Sequence, residues 1–328
     1  MEVILSQQKN ADCQITVHYE GTVVKCNPDK SVLDNLLDQS LAVNHSCKKG
    51  VCLTCLLKTD DKVDVKSRAP LKATLIEQGY FLSCQQVPIE GMMIKSAQST
   101  DFFQQALVSN RIEKSGYVSQ IFLKPYGDFS YKPGQFINIK GPNDIVRSYS
   151  IASIPSDNVI EIHVKEHQYG VVSRWLCSDK IIGQEIEISA ANGECFYLPD
   201  NQDQPMLMIG TGTGLAPLLG ILRDSQSQNH RGKIELYFGA VDEAGLYLAD
   251  QLRDLEAEYI HLTVHFGTLK EGPINDMALK NHPNLKGWRV FLCGDPEMVK
   301  KTKTKAYLAD AALSDIYADA FDLAEISS

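Results

Sequence analysis

The chain has 328 residues, of which 44% are hydrophobic and 22% charged, and its formal net charge is −9 at pH 7. This length and composition predict a globular enzyme of two or three compact domains and argue against intrinsic disorder. The acidic balance argues against nucleic-acid binding, which depends on Lys and Arg side chains that neutralise phosphates.

The amino terminus and the cysteine content bear on the cellular compartment. Residues 1–8 lack the cationic start and apolar run of a signal peptide, and no apolar run is long enough for a membrane helix. An odd number of cysteines remains after the four candidate metal ligands described below, which suits a reducing compartment better than a disulfide scaffold. The sequence therefore predicts a cytoplasmic protein with neither a membrane nor a nucleic-acid partner.

The first predicted elements are a β-hairpin and a helix. Residues 14–19 alternate with the period of a strand, and Gly21 separates them from a second strand at residues 22–26. Ser31 then stands as the N-cap of a helical pattern over residues 32–37. A loop that contains several cysteines follows this helix.

Four cysteines form the first candidate site. The candidate metal ligands are Cys47, Cys52, Cys55 and Cys84. The first three are spaced C-x4-C-x2-C and the fourth lies far downstream, which is the spacing of plant-type two-iron clusters. Gly50, inside the loop, supplies the backbone freedom that a loop wrapped around two irons requires.

Three other interpretations of this cysteine set are buried free thiols, a zinc site and a disulfide pair. Zinc sites favour two C-x2-C arms, whereas this chain has one. The spacing therefore favours a [2Fe-2S] cluster. The quartet resembles that of plant-type iron–sulfur proteins, and the resemblance implies a β-grasp-like α+β ferredoxin domain over residues 1–97.

A second domain is predicted after a polar, turn-rich linker at residues 96–101. Short strand patterns at residues 105–112, 117–123 and 135–139 are separated by Gly and Pro turns. Closely spaced short strands of this kind predict an antiparallel β-barrel. We assign this barrel to residues 103–200.

The barrel segment carries an R-x-Y-S pattern at residues 147–150. Alone this pattern is a weak signal, because an ordinary strand with a satisfied arginine is compatible with it. Residues 132–136, 162–165 and 170–173 accompany it in order, and together these segments resemble the flavin-binding barrel of the ferredoxin–NADP reductase superfamily. The resemblance implies that the barrel binds FAD.

The resemblance also implies roles for individual residues. Arg147 would hold the FAD diphosphate with its forked guanidinium, Tyr149 would pack on the isoalloxazine, and Ser150 would lie near flavin N5, which accepts hydride. The other residues implied to bind the flavin are His163, Val164, Lys165, Gly170, Val172 and Ser173. The family's Gly-Pro-aromatic-Gly turn is reduced here to Gly193 and a later aromatic pair, so contacts to the adenine half of FAD are expected to differ. Cys195, in the same segment, is interpreted as a packed thiol.

A third domain, an α/β domain with a parallel sheet, is predicted for residues 204–328. A buried-strand pattern at residues 206–209 enters a glycine loop at residues 210–214, and a helical pattern follows. Strand, glycine loop and helix form the context in which a helix N-terminus cradles a diphosphate. The loop resembles the nicotinamide-binding loop of the same superfamily, and the residues implied to bind are Gly210, Thr211, Gly212, Thr213 and Gly214.

Asp242 stands just after the next predicted strand, at residues 233–240. An acidic residue here can accept hydrogen bonds from the adenosine ribose hydroxyls and repels a 2′-phosphate, so the sequence predicts NADH over NADPH. An ordinary acidic turn is the alternative interpretation.

Two further segments resemble parts of the superfamily's nicotinamide and flavin sites. Cys293-Gly294-Asp295-Pro296 is similar to the segment that borders the nicotinamide, and Cys293 either positions that ring or is a buried structural thiol. Residues 316–322 are similar to the terminal aromatic segment of bacterial members. There Phe321 either lies against the flavin or anchors the tail.

The whole chain resembles the NADH-dependent reductase components of bacterial multicomponent oxygenases. Nicotinamide gives up two electrons together, an iron–sulfur cluster accepts one at a time, and flavin can do both. The resemblance implies transfer from NADH to FAD beside Ser150 and Cys293, then to the [2Fe-2S] cluster and a terminal oxygenase. Two alternatives stay open, namely a reductase that serves a radical deoxysugar dehydrase and a redox-sensing binding module without turnover.

Overall fold

The structure, a computed structural model, describes residues 15–71, 73–97, 103–115 and 117–321. The chain divides into two compact units, residues 1–101 and residues 102–328. Most of the predicted first linker falls outside the described residues, and the predicted domain boundaries stay predictions. No helix in the described ranges is both long enough and apolar enough to cross a bilayer.

The described part of the first unit is a five-stranded mixed sheet with helices. Its elements are β1 (Ile15–Tyr19), β2 (Thr22–Cys26), α1 (Val32–Asp38), β3 (Leu56–Lys58), α2 (Val65–Arg68), α3 (Ala73–Glu77), β4 (Tyr80–Leu82) and β5 (Met92–Ser96). The strand order is β2-β1-β5-β3-β4, in which β1 and β5 are parallel and the other neighbours antiparallel. The predicted β-grasp-like α+β fold and its first hairpin are confirmed.

Helix α1 packs against the sheet of the first unit, and the cysteine loop follows this helix. Val17 of β1 packs with Leu36 of α1 and Phe81 of β4. Ser31 caps α1, because its hydroxyl accepts a hydrogen bond from the N–H three residues later at 3.1 Å. Residues 39–55, between α1 and β3, form the loop that carries three of the four candidate ligands.

Six antiparallel strands form the first part of the second unit within the described chain. The elements are β6 (Phe103–Ser115), β7 (Val118–Pro125), β8 (Phe136–Lys140), β9 (Val146–Ser150), β10 (Ile160–Lys165), α4 (Val171–Leu176) and β11 (Glu185–Ser189). Their order is β10-β7-β6-β11-β8-β9, and a bridge between Ile151 and Ile162 joins the two edges. The sheet closes on itself, so the predicted antiparallel barrel is confirmed.

The described chain from residue 206 onward forms a five-stranded parallel sheet with helices. Its elements are β12 (Met206–Thr211), α5 (Leu215–Ser227), β13 (Ile234–Ala240), α6 (Ala249–Glu258), β14 (Leu262–Thr268), α7 (Ile274–Asn281), β15 (Arg289–Gly294), α8 (Pro296–Leu308) and β16 (Ile316–Ala320). The order is β14-β13-β12-β15-β16, and the predicted α/β fold is confirmed. Strands β13 and β14 are added on one side of β12, and the chain then crosses to the other side of β12 to form β15 and β16. The strand order therefore switches between β12 and β15, and a crevice opens at the carboxyl ends of these two strands.

Helix α5 touches the barrel through its backbone at Gly220. A Cβ atom on Gly220 would lie 2.6 Å from the carbonyl oxygen of Ile151 and 2.9 Å from the amide nitrogen of Gly134. Only glycine fits such an approach, since non-bonded carbon atoms normally keep well over 3 Å from backbone atoms. The helix that follows the glycine loop is thereby fixed directly on the strand end after β9.

A buried polar network joins the same two parts of the second unit. Glu161 accepts hydrogen bonds from Arg223 of α5 (2.6 Å) and from Nε2 of His163 (2.8 Å). Burial alone would raise the pKa of Glu161, but His163 and Arg223 lower it to about 2. Burial lowers the pKa of His163, so Nδ1 of the neutral ring accepts a hydrogen bond from the Tyr247 hydroxyl (2.8 Å).

We predict that Gly220→Ala loosens the contact between α5 and the barrel. The added methyl group must displace backbone atoms, so the free energy of unfolding should fall by about 1–3 kcal/mol. Urea unfolding followed by tryptophan fluorescence measures this change selectively, because both tryptophans, Trp175 and Trp288, lie in the second unit. Ser227→Ala, at the exposed end of the same helix, is the matched control, and an equal loss in both variants would contradict the prediction.

Candidate functional site

The four candidate metal ligands of the first unit lie together as two pairs. The thiol of Cys52 is hydrogen-bonded to the sulfur of Cys47, and the thiol of Cys55 to that of Cys84. Within the described residues, no group of three or more His, Cys, Asp or Glu side chains is arranged to hold a metal ion. Four cysteines that serve two irons supply two for each iron, so this paired arrangement fits a [2Fe-2S] cluster.

Donor groups of the loop point at the paired sulfur atoms. The N–H groups of Lys49 and Cys52 lie 3.3 Å and 3.5 Å from Cys47 Sγ, and the Thr54 hydroxyl lies 3.1 Å from Cys52 Sγ. The neighbouring Cys52 thiol and the loop N–H groups lower the pKa of Cys47 to about 5. The pKa of Cys84 falls to about 7 because a neighbouring thiol, a side-chain amide and a backbone N–H donate hydrogen bonds to its sulfur. One sulfur of each pair is therefore stabilised as the thiolate, which is the form that binds iron, whereas the neighbouring sulfur and burial raise the pKa of its partner, Cys52 or Cys55.

The shape of this loop depends on left-handed backbone positions. The φ angle is +80° at Gly50, and it is also positive at Lys48 and Leu53. A Cβ atom at Gly50 would lie 2.8 Å from Cγ of Gln85, next to the ligand Cys84. The glycine is required both for its φ angle and for the space it leaves.

Strand β9 carries the R-x-Y-S residues. Arg147 is half-buried, its Nη1 donates to the carbonyl of Val146 (2.8 Å), and no carboxylate among the described residues pairs with it. A half-buried guanidinium in these surroundings suits an anionic ligand such as a diphosphate. The Tyr149 ring packs against the barrel core, and burial raises the pKa of its hydroxyl.

Helix α4 begins immediately after Gly170. Its first helical hydrogen bond runs from the N–H of Arg174 to the carbonyl of Gly170 (3.0 Å), so the N–H groups of residues 171–173 have no acceptor within the helix. The Ser173 hydroxyl accepts a hydrogen bond from the preceding loop (3.2 Å), and Val172 is buried in the barrel core. The backbone N–H groups of this turn are therefore better placed for a diphosphate than the Ser173 hydroxyl.

The other predicted flavin residues lie along β10. His163 and Val164 are buried, whereas the side chain of Lys165 is exposed. The His163 ring is occupied by Glu161 and Tyr247. A flavin contact from His163 or Val164 would therefore have to use the backbone, and these three assignments stay predictions.

The predicted nicotinamide residues meet at the crevice between β12 and β15. They are Gly210, Thr211, Gly212, Thr213, Gly214, Cys293, Gly294, Asp295 and Pro296. A Cβ atom at Gly214 would lie 2.3 Å from the carbonyl oxygen of Cys293, and the N–H of Asp295 donates to Thr211 Oγ1 (3.0 Å). The two loops therefore form one rigid edge at the carboxyl end of the sheet, where parallel sheets bind dinucleotides.

Asp242 lies at this same edge of the sheet, beyond the carboxyl end of β13. Its side chain is exposed, and Oδ1 accepts a hydrogen bond from the N–H of Gly245 (3.0 Å). Asp242 therefore both caps a turn and presents a negative charge to solvent. Both the ribose-binding and the structural interpretation fit this placement, so NADH selectivity stays a prediction.

Sequence reasoning missed Asp319, which completes the cluster around Ser150 and Cys293. Ser150 of β9 donates a hydrogen bond to Asp319 Oδ2 (2.9 Å), and Asp319 of β16 is in register with Cys293 of β15. Burial raises the pKa of Asp319 to about 6, although the Ser150 hydroxyl opposes the rise. Only the register of β16 against β15 reveals this placement, and the sequence alone does not give that register. The N–H of Phe321 bonds to the carbonyl of Gly294 (2.8 Å), while its predicted flavin contact stays a prediction.

Three protein families match successive parts of the chain. Residues 15–88 match the 2Fe-2S iron–sulfur cluster binding domain, residues 110–197 the oxidoreductase FAD-binding domain, and residues 208–304 the oxidoreductase NAD-binding domain. The chain therefore has domains for a [2Fe-2S] cluster, FAD and a nicotinamide dinucleotide, as the cysteine spacing, the R-x-Y-S segment and the glycine loop predicted.

Similar proteins of known role cover nearly the whole chain. The reductase component of the naphthalene 1,2-dioxygenase system of Pseudomonas putida is 29% identical over 94% of this chain and 98% of its own length. The electron transfer component of xylene/toluene monooxygenase from the same species is 26% identical, with coverages of 94% and 93%. The crystal structure of a cytochrome P450 reductase from Amycolatopsis superposes with a TM-score of 0.65 at 25% identity, over 94% of this chain and 98% of that one.

We predict that Asp319→Asn changes how the stability of the second unit depends on pH. Folding raises the pKa of Asp319 from an ordinary 3.8 to about 6, so its favourable contribution is complete below the lower value and is lost as the pH rises through the higher one. Asparagine still accepts the Ser150 hydrogen bond but cannot ionise. The variant should therefore gain about 1–3 kcal/mol over the wild type between pH 5 and pH 8.

Urea unfolding followed by tryptophan fluorescence at several pH values checks this prediction. Asp310→Asn replaces an exposed carboxylate of the same unit and is the control. A difference between Asp319→Asn and the wild type that stays constant with pH would show that Asp319 does not titrate as the burial implies.

Proposed function

We propose that this chain transfers electrons from NADH to a terminal oxygenase component. The proposal is supported by its 2Fe-2S, FAD-binding and NAD-binding domains and by its similarity to the ferredoxin–NAD(P) reductase component of a dioxygenase system. The observation that carries the proposal is the Ser150–Asp319 hydrogen bond. It brings the R-x-Y-S strand of the barrel to the strand beside Cys293, at the end of the sheet where a nicotinamide would enter.

The residues of this chain have distinct tasks in the proposed reaction. Bound FAD supplies the conversion between two-electron hydride chemistry and the one-electron chemistry of the cluster. Arg147 and the N–H groups of residues 171–173 bind the FAD diphosphate, while Ser150 and Cys293 position the reacting rings. The glycine loop at residues 210–214 binds the NADH diphosphate, and Asp242 selects its unphosphorylated ribose.

The cysteine loop holds the irons of the proposed exit site. The proposed iron ligands are Cys47, Cys52, Cys55 and Cys84. The N–H groups that point at the Cys47 sulfur offset its negative charge and so ease the addition of an electron. Gly50 keeps the loop in the conformation that provides these donors.

The proposed acceptor follows from what the similar proteins serve. By their names they supply a dioxygenase system and a monooxygenase. We therefore propose an oxygenase component as the partner, without a choice among these classes or their substrates. We also propose the cytoplasm as the compartment, supported by the finding that no cysteine in the described ranges is in a disulfide bond.

The experiment that tests the function separates the flavin from the cluster. With anaerobic holoenzyme, NADH should bleach the flavin and produce the electron spin resonance signal of a reduced [2Fe-2S] cluster. In Cys84→Ser, NADH should still bleach the flavin and support reduction of a dye that takes electrons from it, whereas reduction of cytochrome c should fall to background. Cys177→Ser, which changes a buried thiol of the barrel, is the control and should keep both activities.

Two results would contradict the proposed function. One is flavin that NADH does not reduce in the wild type. The other is full cytochrome c reduction by Cys84→Ser, because electrons would then leave without the cluster. Coupled NADH oxidation and product formation with a purified oxygenase component from the same organism tests the proposed partner.

We predict that Asp242→Asn weakens the preference for NADH over NADPH. Asparagine is as good a capping residue as aspartate, so the turn at Gly245 should persist while the charge is removed. The ratio of kcat/KM for NADH to that for NADPH should fall about tenfold, since hydrogen bonds to charged groups contribute about 1.5–3 kcal/mol. Steady-state kinetics with both dinucleotides measures the ratio. Glu243→Gln, the neighbouring exposed carboxylate, is the control, and an unchanged ratio in Asp242→Asn would rule out the assigned role.

A further inference from the structure

Two buried thiols of the second unit lie in contact outside the cluster loop. The sulfur atoms of Cys195 and Cys293 are 3.6 Å apart. Cys293 is completely buried and Cys195 is 5% exposed. By contrast, the sulfurs of Cys26 and Cys177 lie near backbone carbonyls at 3.8 Å. The Cys195–Cys293 contact joins the segment that leaves the barrel to the end of β15.

The backbone on both sides of this contact is held tightly. A Cβ atom at Gly134 would lie 2.5 Å from the carbonyl oxygen of Cys195, and one at Gly214 would lie 2.3 Å from that of Cys293. Each cysteine is therefore packed against a glycine that leaves its backbone little room to move. A covalent sulfur–sulfur bond is about 2.05 Å long, so the sulfurs would approach by rotation about their side-chain bonds.

We propose that Cys195 and Cys293 form an oxidation site at which hydrogen peroxide converts the two thiols into a disulfide. The Cys195 sulfur, the more exposed of the two, attacks a peroxide oxygen; the O–O bond breaks, one water leaves and a sulfenic acid remains. The Cys293 sulfur then attacks the Cys195 sulfur, the S–O bond breaks and a second water leaves. Two thiols and one peroxide thus give one disulfide and two waters, and the peroxide accepts the two electrons.

The disulfide would slow the reduction of the flavin by NADH, because Cys293 belongs to the candidate site. This consequence rests on the proposed function. The Cys293 thiol also interacts with the backbone of Asp319, which binds Ser150. A bond to Cys195 draws the Cys293 sulfur away from this cluster and ties the end of β15 to the segment after the barrel. Reduction of the flavin by NADH should then slow about tenfold or more, because small displacements of reacting groups have effects of that size.

The test treats wild-type holoenzyme with a small molar excess of hydrogen peroxide. Remaining thiols are alkylated under denaturing conditions, and the digest is searched by mass spectrometry for a peptide that links Cys195 to Cys293. The linked peptide should appear in the wild type and in Cys177→Ser, disappear in Cys195→Ser, and be lost after dithiothreitol. No linked peptide in wild-type protein whose other thiols are oxidised would overturn the proposal.

Stopped-flow reduction of the flavin by NADH is the second measurement. Before oxidation, Cys195→Ser should reduce its flavin at the wild-type rate. After oxidation, the wild type should slow and recover with dithiothreitol, whereas Cys195→Ser should not slow. Equal slowing in both proteins would overturn the effect assigned to the disulfide. Because the linked peptide is detected without turnover, its absence and a failure of NADH to reduce the flavin are separate outcomes.

Discussion

The contact of helix α5 with the barrel is the constraint on which the geometry of the candidate site depends. Gly220 lets the helix backbone meet the carbonyl of Ile151, and Ile151 follows Ser150 directly in the sequence. The helix that begins at the glycine loop is therefore positioned against the strand that carries the R-x-Y-S residues. Because protein interiors are closely packed, such a contact has little freedom to slide. The edge at which we propose that the dinucleotide binds is thereby held at one position relative to β9.

The buried network around Glu161 fixes the orientation of α5 relative to the barrel, in addition to this steric contact. Removing a carboxylate and a guanidinium from water is costly, and their attraction offsets that cost only with good geometry and further hydrogen bonds. Glu161 receives both, from Arg223 of α5 and from His163, which in turn accepts from Tyr247. An apolar contact of equal area would permit several orientations of α5 on the barrel, whereas these hydrogen bonds can all form in only one orientation. We therefore interpret the network as a device for orientation more than for stability.

The elements and cofactor domains were predictable because their signals are local. The cysteine spacing, the Ser31 cap and the strand–glycine loop–helix pattern each lie within a short stretch of sequence, where the chemistry of the ligand fixes the residue types. Gly50 is also a local signal, because a glycine marks a turn at which the backbone is left-handed. Asp319, Gly220 and the pair of Glu161 and Arg223 carry no such local signal. Their partners are distant in sequence and are brought close by strand register and helix packing, which a single sequence does not state.

The cysteines show why residue type alone does not determine chemistry. In the loop, the Cys52 thiol and backbone N–H groups lower the pKa of Cys47, so the thiolate that binds iron is favoured. Around Cys293, burial and the neighbouring Cys195 raise the thiol pKa, so the neutral thiol is favoured there. The first environment arises from a loop whose N–H groups donate to a cysteine sulfur, and the second from a strand end enclosed by helices and barrel. Sequence spacing could identify the first set, because the cluster imposes it. Only the three-dimensional packing separates Cys293, which shares its environment with Ser150 and Asp319, from an ordinary buried thiol.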